Sequence, residues 1–179
     1  LRTQYKKVKA EALVHHKIIC QVTTEATLKK KNLQSIATKI LLQIIAKRGN
    51  TLWVPRCPQG LPATMMMAFE TAKDRKTTLG MCATLNSTFS SIFSRTYTFD
   101  KGDEKFPAMV NLSLQAVAAY VARNKEPPLE IVIFHNSVSG DQMSLFLDFF
   151  VKNLKTKLAD VYGEKTPSLT LVLVNVRTS

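Results

Sequence analysis

Leu129-Glu130-Ile131-Val132-Ile133-Phe134 decides the fold: Pro127-Pro128 precedes it and His135-Asn136-Ser137 follows it. A short, nearly continuous apolar run rich in β-branched residues reads as a buried strand, here expected to be covered on both faces. Just upstream, Met109 to Ala122 is rich in Ala, Leu and Val and reads as a helix that the prolines end. Downstream, Asp141 to Leu158 has the spacing of an amphipathic helix, and Leu169 to Val174 (LTLVLV) repeats the buried-strand pattern. Further upstream, Thr64 to Phe69 (TMMMAF), Thr78 to Leu85 (TLGMCATL) and Ser91 to Phe99 (SIFSRTYTF) read as three strands joined by short polar turns. Three meander strands followed by α-β-α-β specify a mixed α/β sheet with helices packed on it. Met65-Met66-Met67 is expected in the core of the first strand, and Cys82 as a buried small hydrophobe.

Pro55, Pro58, Gly60 and Pro62 form a punctuated linker before this region, so the boundary is expected between residues 1–52 and 53–179. In the first part, Arg2 to Ala12 reads as the end of a helix, Lys17 to Thr24 (KIICQVTT) as a strand, and Thr27 to Asn32 as a polar connector. From Leu33 the apolar residues Ile36, Ala37, Ile40, Leu41, Ile44 and Ile45 mark an amphipathic helix that stops at Gly49-Asn50.

Charge separates the two parts. The 179 residues hold 25 Lys and Arg against 13 acids, a net +12. Residues 1–52 carry 11 of those cations and 2 acids (+9), and residues 53–179 carry 14 and 11 (+3). A basic lobe beside a nearly neutral one points to a polyanion partner, most simply nucleic acid. The 45% hydrophobic content argues against disorder, and no run reaches the ~18 apolar residues of a membrane span. Cys20, Cys57 and Cys82 are scattered, which favours neither a disulfide framework nor a zinc site and suits a reducing compartment. His15-His16 lacks a nearby third ligand, and Ser90, Ser91 and Ser94 lack a His/Asp arrangement for hydrolysis. The opening Leu1-Arg2-Thr3-Gln4, with neither Met nor an apolar leader, reads as part of a longer chain.

Chemistry in such sheets gathers where strands end. Those points are Glu70, the Asp100-Lys101-Gly102-Asp103-Glu104 turn, and His135-Asn136-Ser137. An RNase H-like site uses carboxylates there to hold two Mg²⁺ ions. Glu70 and either Asp103 or Glu104 could serve, but the amide of Asn136 brings no negative charge and His135 is a poor ligand for a hard cation.

An ordered set of motifs then makes the chain recognisable. Ser35 to Gly49 (SIATKILLQIIAKRG) is similar to the Piwi helix written ATKIALQxxxKxGG. Phe93-Ser94-Arg95, Gly102-Asp103-Glu104, Ser113-Leu114-Gln115-Ala116 and Phe134 to Gln142 (FHNSVSGDQ) follow in order, the last resembling YRDGVSxGQ. The sequence resembles the Argonaute family, Piwi clade, over nearly its whole length. Residues 1–52 are similar to the C-terminal part of a MID domain, and residues 53–179 to the N-terminal part of a PIWI domain with its RNase H-like fold.

The resemblance implies a pocket for the 5′ phosphate of a guide strand at Lys6, Gln21, Gln43 and Lys47, with Lys39 just over two turns from Lys47 on the same helix. Ammonium and amide donors suit a dianionic phosphate. Arg2 stands where the family stacks a Tyr on the first guide base. In the slicer site, Glu70 replaces the first Asp with one more methylene, Glu104 matches the glutamate finger, Asn136 replaces the second Asp, and His135 replaces an Arg. The fourth ligand would lie beyond Ser179. The resulting expectation is a slicer-inactive Piwi-like protein that binds small guide RNA and target RNA, silences through recruited protein partners, and does not engage a membrane. No resident cofactor is expected, a Mg²⁺ ion at the guide 5′ phosphate being the one candidate. The alternative is a structural subunit of a larger ribonucleoprotein or protein assembly without guide binding. The expected compartment is intracellular, cytoplasmic or nuclear, with a mitochondrial location left open.

Overall fold

A computed structural model describes residues 2–56, 61–73, 76–99, 105–136 and 140–174. It divides into two compact units, Leu1–Val54 and Pro55–Ser179.

In the first unit, helix α1 (Arg2–Ala10) continues through a π-helical turn (Glu11–His15). The short α2 (Glu25–Leu28) follows, its first turn capped by Thr24 Oγ1 accepting from Thr27 N at 3.3 Å. Its last two residues, Thr27 and Leu28, were expected to open a polar connector. Helix α3 spans Leu33–Lys47, and Gly49 (φ 84°) closes it, its N–H donating to Ala46 O and that of Asn50 to Ile45 O. Lys17 to Thr24 is not a strand. Its β-branched residues have the propensity, but a strand needs a partner ladder, and the described residues of this unit otherwise form only helices.

The second unit is one five-stranded mixed sheet with helices on one face. Strand β1 (Thr64–Lys73) pairs antiparallel with β2 (Thr77–Thr84), which pairs antiparallel with β3 (Ile92–Phe99). Helix α4 (Lys105–Asn124) then returns the chain, and β4 (Glu130–Asn136) adds parallel to β1. A long helical stretch, α5 (Gly140–Phe146), a π-helical segment (Leu147–Lys152) and α6 (Asn153–Tyr162), leads to β5 (Ser168–Val174), parallel to β4. The order β3-β2-β1-β4-β5 is the RNase H-like arrangement.

The period of two along each strand sorts the side chains. Met65, Met67 and Phe69 on β1, Leu79, Met81 and Ala83 on β2, and Ile131 and Ile133 on β4 are buried beneath the helices. From above, Met109, Val110, Leu112, Ala116, Val117 and Tyr120 of α4 meet Phe146, Phe150, Leu154 and Leu158, a ridge at four-residue spacing. The buried hydroxyl of Ser113 is satisfied by donating to Met109 O at 2.8 Å. No described element of this unit covers the opposite face, so within the unit the helices enclose β4 on one side only. Met66, Val132 and Phe134 are half-buried there, and Cys82, expected to be buried, is exposed.

Phe150 is fully buried, with ring contacts to Phe69 (centroids 5.6 Å) and Phe146 (5.2 Å). Phe150→Ala should therefore cost about 3–5 kcal/mol, read as a lower urea midpoint with an unchanged slope.

Candidate functional site

Parallel pairing sets Phe69 of β1 opposite His135 of β4, so the next residues, Glu70 and Asn136, lie side by side. Asn136 ends β4, whereas Glu70, expected to follow its strand, lies inside β1, which pairs with β2 as far as Lys73. They fall on the open face, where Asn136 Nδ2 donates to Glu70 Oε2 at 2.8 Å. Around them runs an open trough of about 810 Å³. Cross-strand rows floor it: Ser94, Cys82, Ala68 and Phe134 in one, Thr96, Gly80 and Glu70 in the next. Most of these side chains are small, which leaves the floor of the trough open.

His135 projects to the other face. Its ring lies 4.9 Å from that of Phe146, Lys105 Nζ donates to Nε2 at 3.3 Å, and Nδ1 is bonded to Asn136 O. An acceptor at Nε2 and a donor at Nδ1 define the neutral imidazole. Burial holds its pKa below the ordinary 6.5; the Asn136 carbonyl opposes this, Lys105 adds to the lowering, and Glu70 opposes it.

A divalent cation does not fit the strand ends as described. Glu70 is the only carboxylate among the described lining residues, and its partner presents a donor where a second ligand oxygen is needed. No group of three or more His, Cys, Asp or Glu residues suited to a metal occurs among the described residues. His16 Nε2 is instead 3.0 Å from Glu11 Oε1. Asp103 and Glu104 lie outside the described residues.

In the first unit a basic cluster forms around one carbonyl. Cys20 O accepts from Lys47 Nζ at 3.1 Å and from Lys9 Nζ at 3.2 Å, and Lys47 also donates to Gln21 Oε1. Gln21 and Lys47 are thus brought together by the segment that lacks regular structure. Lys39, Gln43 and Lys47 share a ridge of α3 at four-residue spacing, all exposed. Lys6 is exposed on α1, one turn from Lys9. Sequence reasoning missed Lys9 and Tyr5. Tyr5 is about half exposed and Lys9 Nζ lies 5.8 Å from its ring centroid. The spacing of Tyr5, Lys6 and Lys9 on α1 was the available signal.

A profile for the Piwi domain matches residues 2–179. The chain belongs to the Argonaute–Piwi family. Protein piwi of Drosophila melanogaster is 30% identical over 182 residues, covering 96% of this Piwi chain and 21% of that protein. The crystal structure of Drosophila Piwi matches with a TM-score of 0.71 at 26% identity, over 90% of this chain and 22% of that one. The MID-PIWI domains of N. crassa QDE-2 share the fold with a TM-score of 0.78 at 19% identity, over 97% and 52% of the two chains. A Kluyveromyces polysporus Argonaute solved with a guide RNA gives 0.70 at 16%, over 97% and 21%. The Piwi chain therefore spans about a fifth of the length of the curated relatives it matches.

The depressed pKa of His135 fixes a pH dependence. Below about 6.5 the unfolded chain takes up a proton that the folded chain refuses, so unfolding binds protons and stability falls as pH drops. The loss begins near the ordinary value and levels off below the folded one. Urea midpoints between about pH 7.5 and pH 5.5 should fall for the native protein and fall less for His135→Gln. Equal slopes would contradict this account of the ring.

Proposed function

We propose that the chain belongs to a Piwi-type protein that holds a guide RNA by its 5′ phosphate and does not cut the paired target. The observation that carries this reading is the convergence of Lys9 and Lys47 on the Cys20 carbonyl beside Gln21. Two ammonium groups drawn to one neutral oxygen repel each other, and a dianionic phosphate relieves that repulsion while accepting from both. Gln21 and Gln43 supply amide donors, Lys6 and Lys39 extend the positive surface, and Tyr5 offers a half-exposed ring on which a terminal base can stack. A solved Argonaute of this fold carries a guide RNA, which is consistent with the same use here.

Absence of cleavage rests on the pair at the strand ends. Phosphodiester hydrolysis by two metals needs carboxylate oxygens to hold both ions and neutralise the developing charge. Glu70 is engaged by an amide and Asn136 contributes no charge. Silencing would then follow from recruited partners. The second reading, a structural subunit, draws on the same cluster: neutral oxygens of this chain already occupy Lys47.

Binding of 5′-phosphorylated and 5′-hydroxyl RNA of one sequence to the full-length protein separates the two. Charge-assisted hydrogen bonds of ~1.5–3 kcal/mol each predict a preference of at least ~10-fold for the phosphate. Lys47→Ala should remove most of it, and Tyr5→Ala should weaken both RNAs alike. Equal affinities that fall together with salt, ~0.7 log units per log unit of salt for each phosphate contacted, would contradict the pocket. Divalent-dependent cutting of a paired target would contradict the inactive site.

A further inference from the structure

We infer that the Asn136–Glu70 hydrogen bond is a metal-free brace between β4 and β1, in which the amide stands where a cation would join two carboxylates, so that Asn136→Asp alone would create a divalent-cation site. The inference rests on the reading that this strand-end site does not cleave, and adds what the pair does instead.

β4 ends here at Asn136 while β1 runs on to Lys73, and the two side chains cannot avoid each other: the register that pairs Phe69 with His135 puts Glu70 and Asn136 adjacent on the same face. With carboxylates at both positions, oxygens at hydrogen-bond distance would repel unless a proton or cation sat between them. Asn136 removes the conflict, since its Nδ2 is a donor directed at Glu70 Oε2, 2.8 Å away. The opposite amide orientation would set Oδ1 against the carboxylate, so the bond itself selects the orientation. A cation approaching Glu70 must break this bond, and turning the amide then gains only one neutral oxygen. The rest of the described trough supplies no second negative charge for a cation: Ala68, Gly80, Cys82, Ser94 and Thr96 lie around the pair, and the one other charged lining residue, Arg95, is itself a cation. Magnesium gives up water reluctantly for such a ligand set.

A single added carboxylate at position 136 would restore the like-charge conflict and with it a reason to bind a cation. Glu70 Oε2 and a new Asp oxygen would then be the first two ligands.

The test is thermal unfolding of the full-length protein, native and Asn136→Asp, in EDTA and in Mn²⁺ at matched ionic strength, with Glu70→Gln added to each. The native midpoint should not shift when Mn²⁺ replaces EDTA. The Asn136→Asp midpoint should drop by a few degrees in EDTA and recover in Mn²⁺, and Glu70→Gln should abolish both effects. A Glu70-dependent rise of the native midpoint in Mn²⁺ would overturn the brace, as would an Asn136→Asp protein that melts like the native one and ignores Mn²⁺. If Asn136→Asp does not fold, electron paramagnetic resonance of Mn²⁺ titrated into the native and Glu70→Gln proteins decides. Equal binding by the two supports the brace, and a bound ion lost with Glu70 overturns it. Loss of the 5′-phosphate preference would sink guide binding and leave the brace standing. Capture of Mn²⁺ at Glu70 would do the reverse.

Discussion

The parallel pairing of β1 with β4 is the constraint on which the rest of the second unit depends. The two strands come from opposite sides of a long excursion through β2, β3 and α4, and their register puts Met65 beside Ile131 and Met67 beside Ile133. Because side chains alternate, that register sends Met65, Met67, Phe69, Ile131, Ile133 and His135 under the helices, and Glu70 and Asn136 to the open face. A slip of one residue would exchange core for surface. The same pairing that buries the methionines therefore also fixes the chemistry where β4 ends beside Glu70.

Stability and site are linked through the residue between them. His135 sits at the margin of the core, against Phe146, while its backbone neighbours the trough. Its ring accepts from Lys105 and bonds the Asn136 carbonyl, so the neutral imidazole holds the peptide that carries the Asn136 side chain. In the first unit the logic is electrostatic. Few side chains are shielded there, and a backbone carbonyl at Cys20 organises two lysines from helices distant in sequence.

Much of this was legible in the sequence because it is periodic. The β-branched run of β4, the methionines of β1 and the four-residue ridges of α3 and α6 each carry their own signature. Asn136 was recognisable as the end of β4, whereas Glu70, read as following its strand, lies inside β1, because the ladder with β2 carries that strand on to Lys73. Four things were not legible. Lys17 to Thr24 has strand propensity, but pairing depends on a neighbour that propensity does not report. Cys82 has apolar neighbours in sequence, yet strand alternation turns it outward opposite Ser94 and Ala68. The helical spacing of Lys9 from Tyr5 and Lys6 could be read, but not its partner, a backbone carbonyl that sequence does not single out. The hydrogen bond between Asn136 and Glu70 was likewise invisible, as it depends on which amide atom faces the carboxylate.

The central claim is that this Piwi chain serves a protein whose basic pocket grips a phosphorylated RNA end. The most direct measurement is to purify the full-length protein from its native cells and end-label the nucleic acid that comes with it, before and after phosphatase treatment. The account predicts a discrete population of short RNA that accepts label only after its 5′ phosphate has been removed. Recovery of no small RNA, or of long heterogeneous RNA released by moderate salt, would contradict it and leave a Piwi fold kept for its surfaces alone.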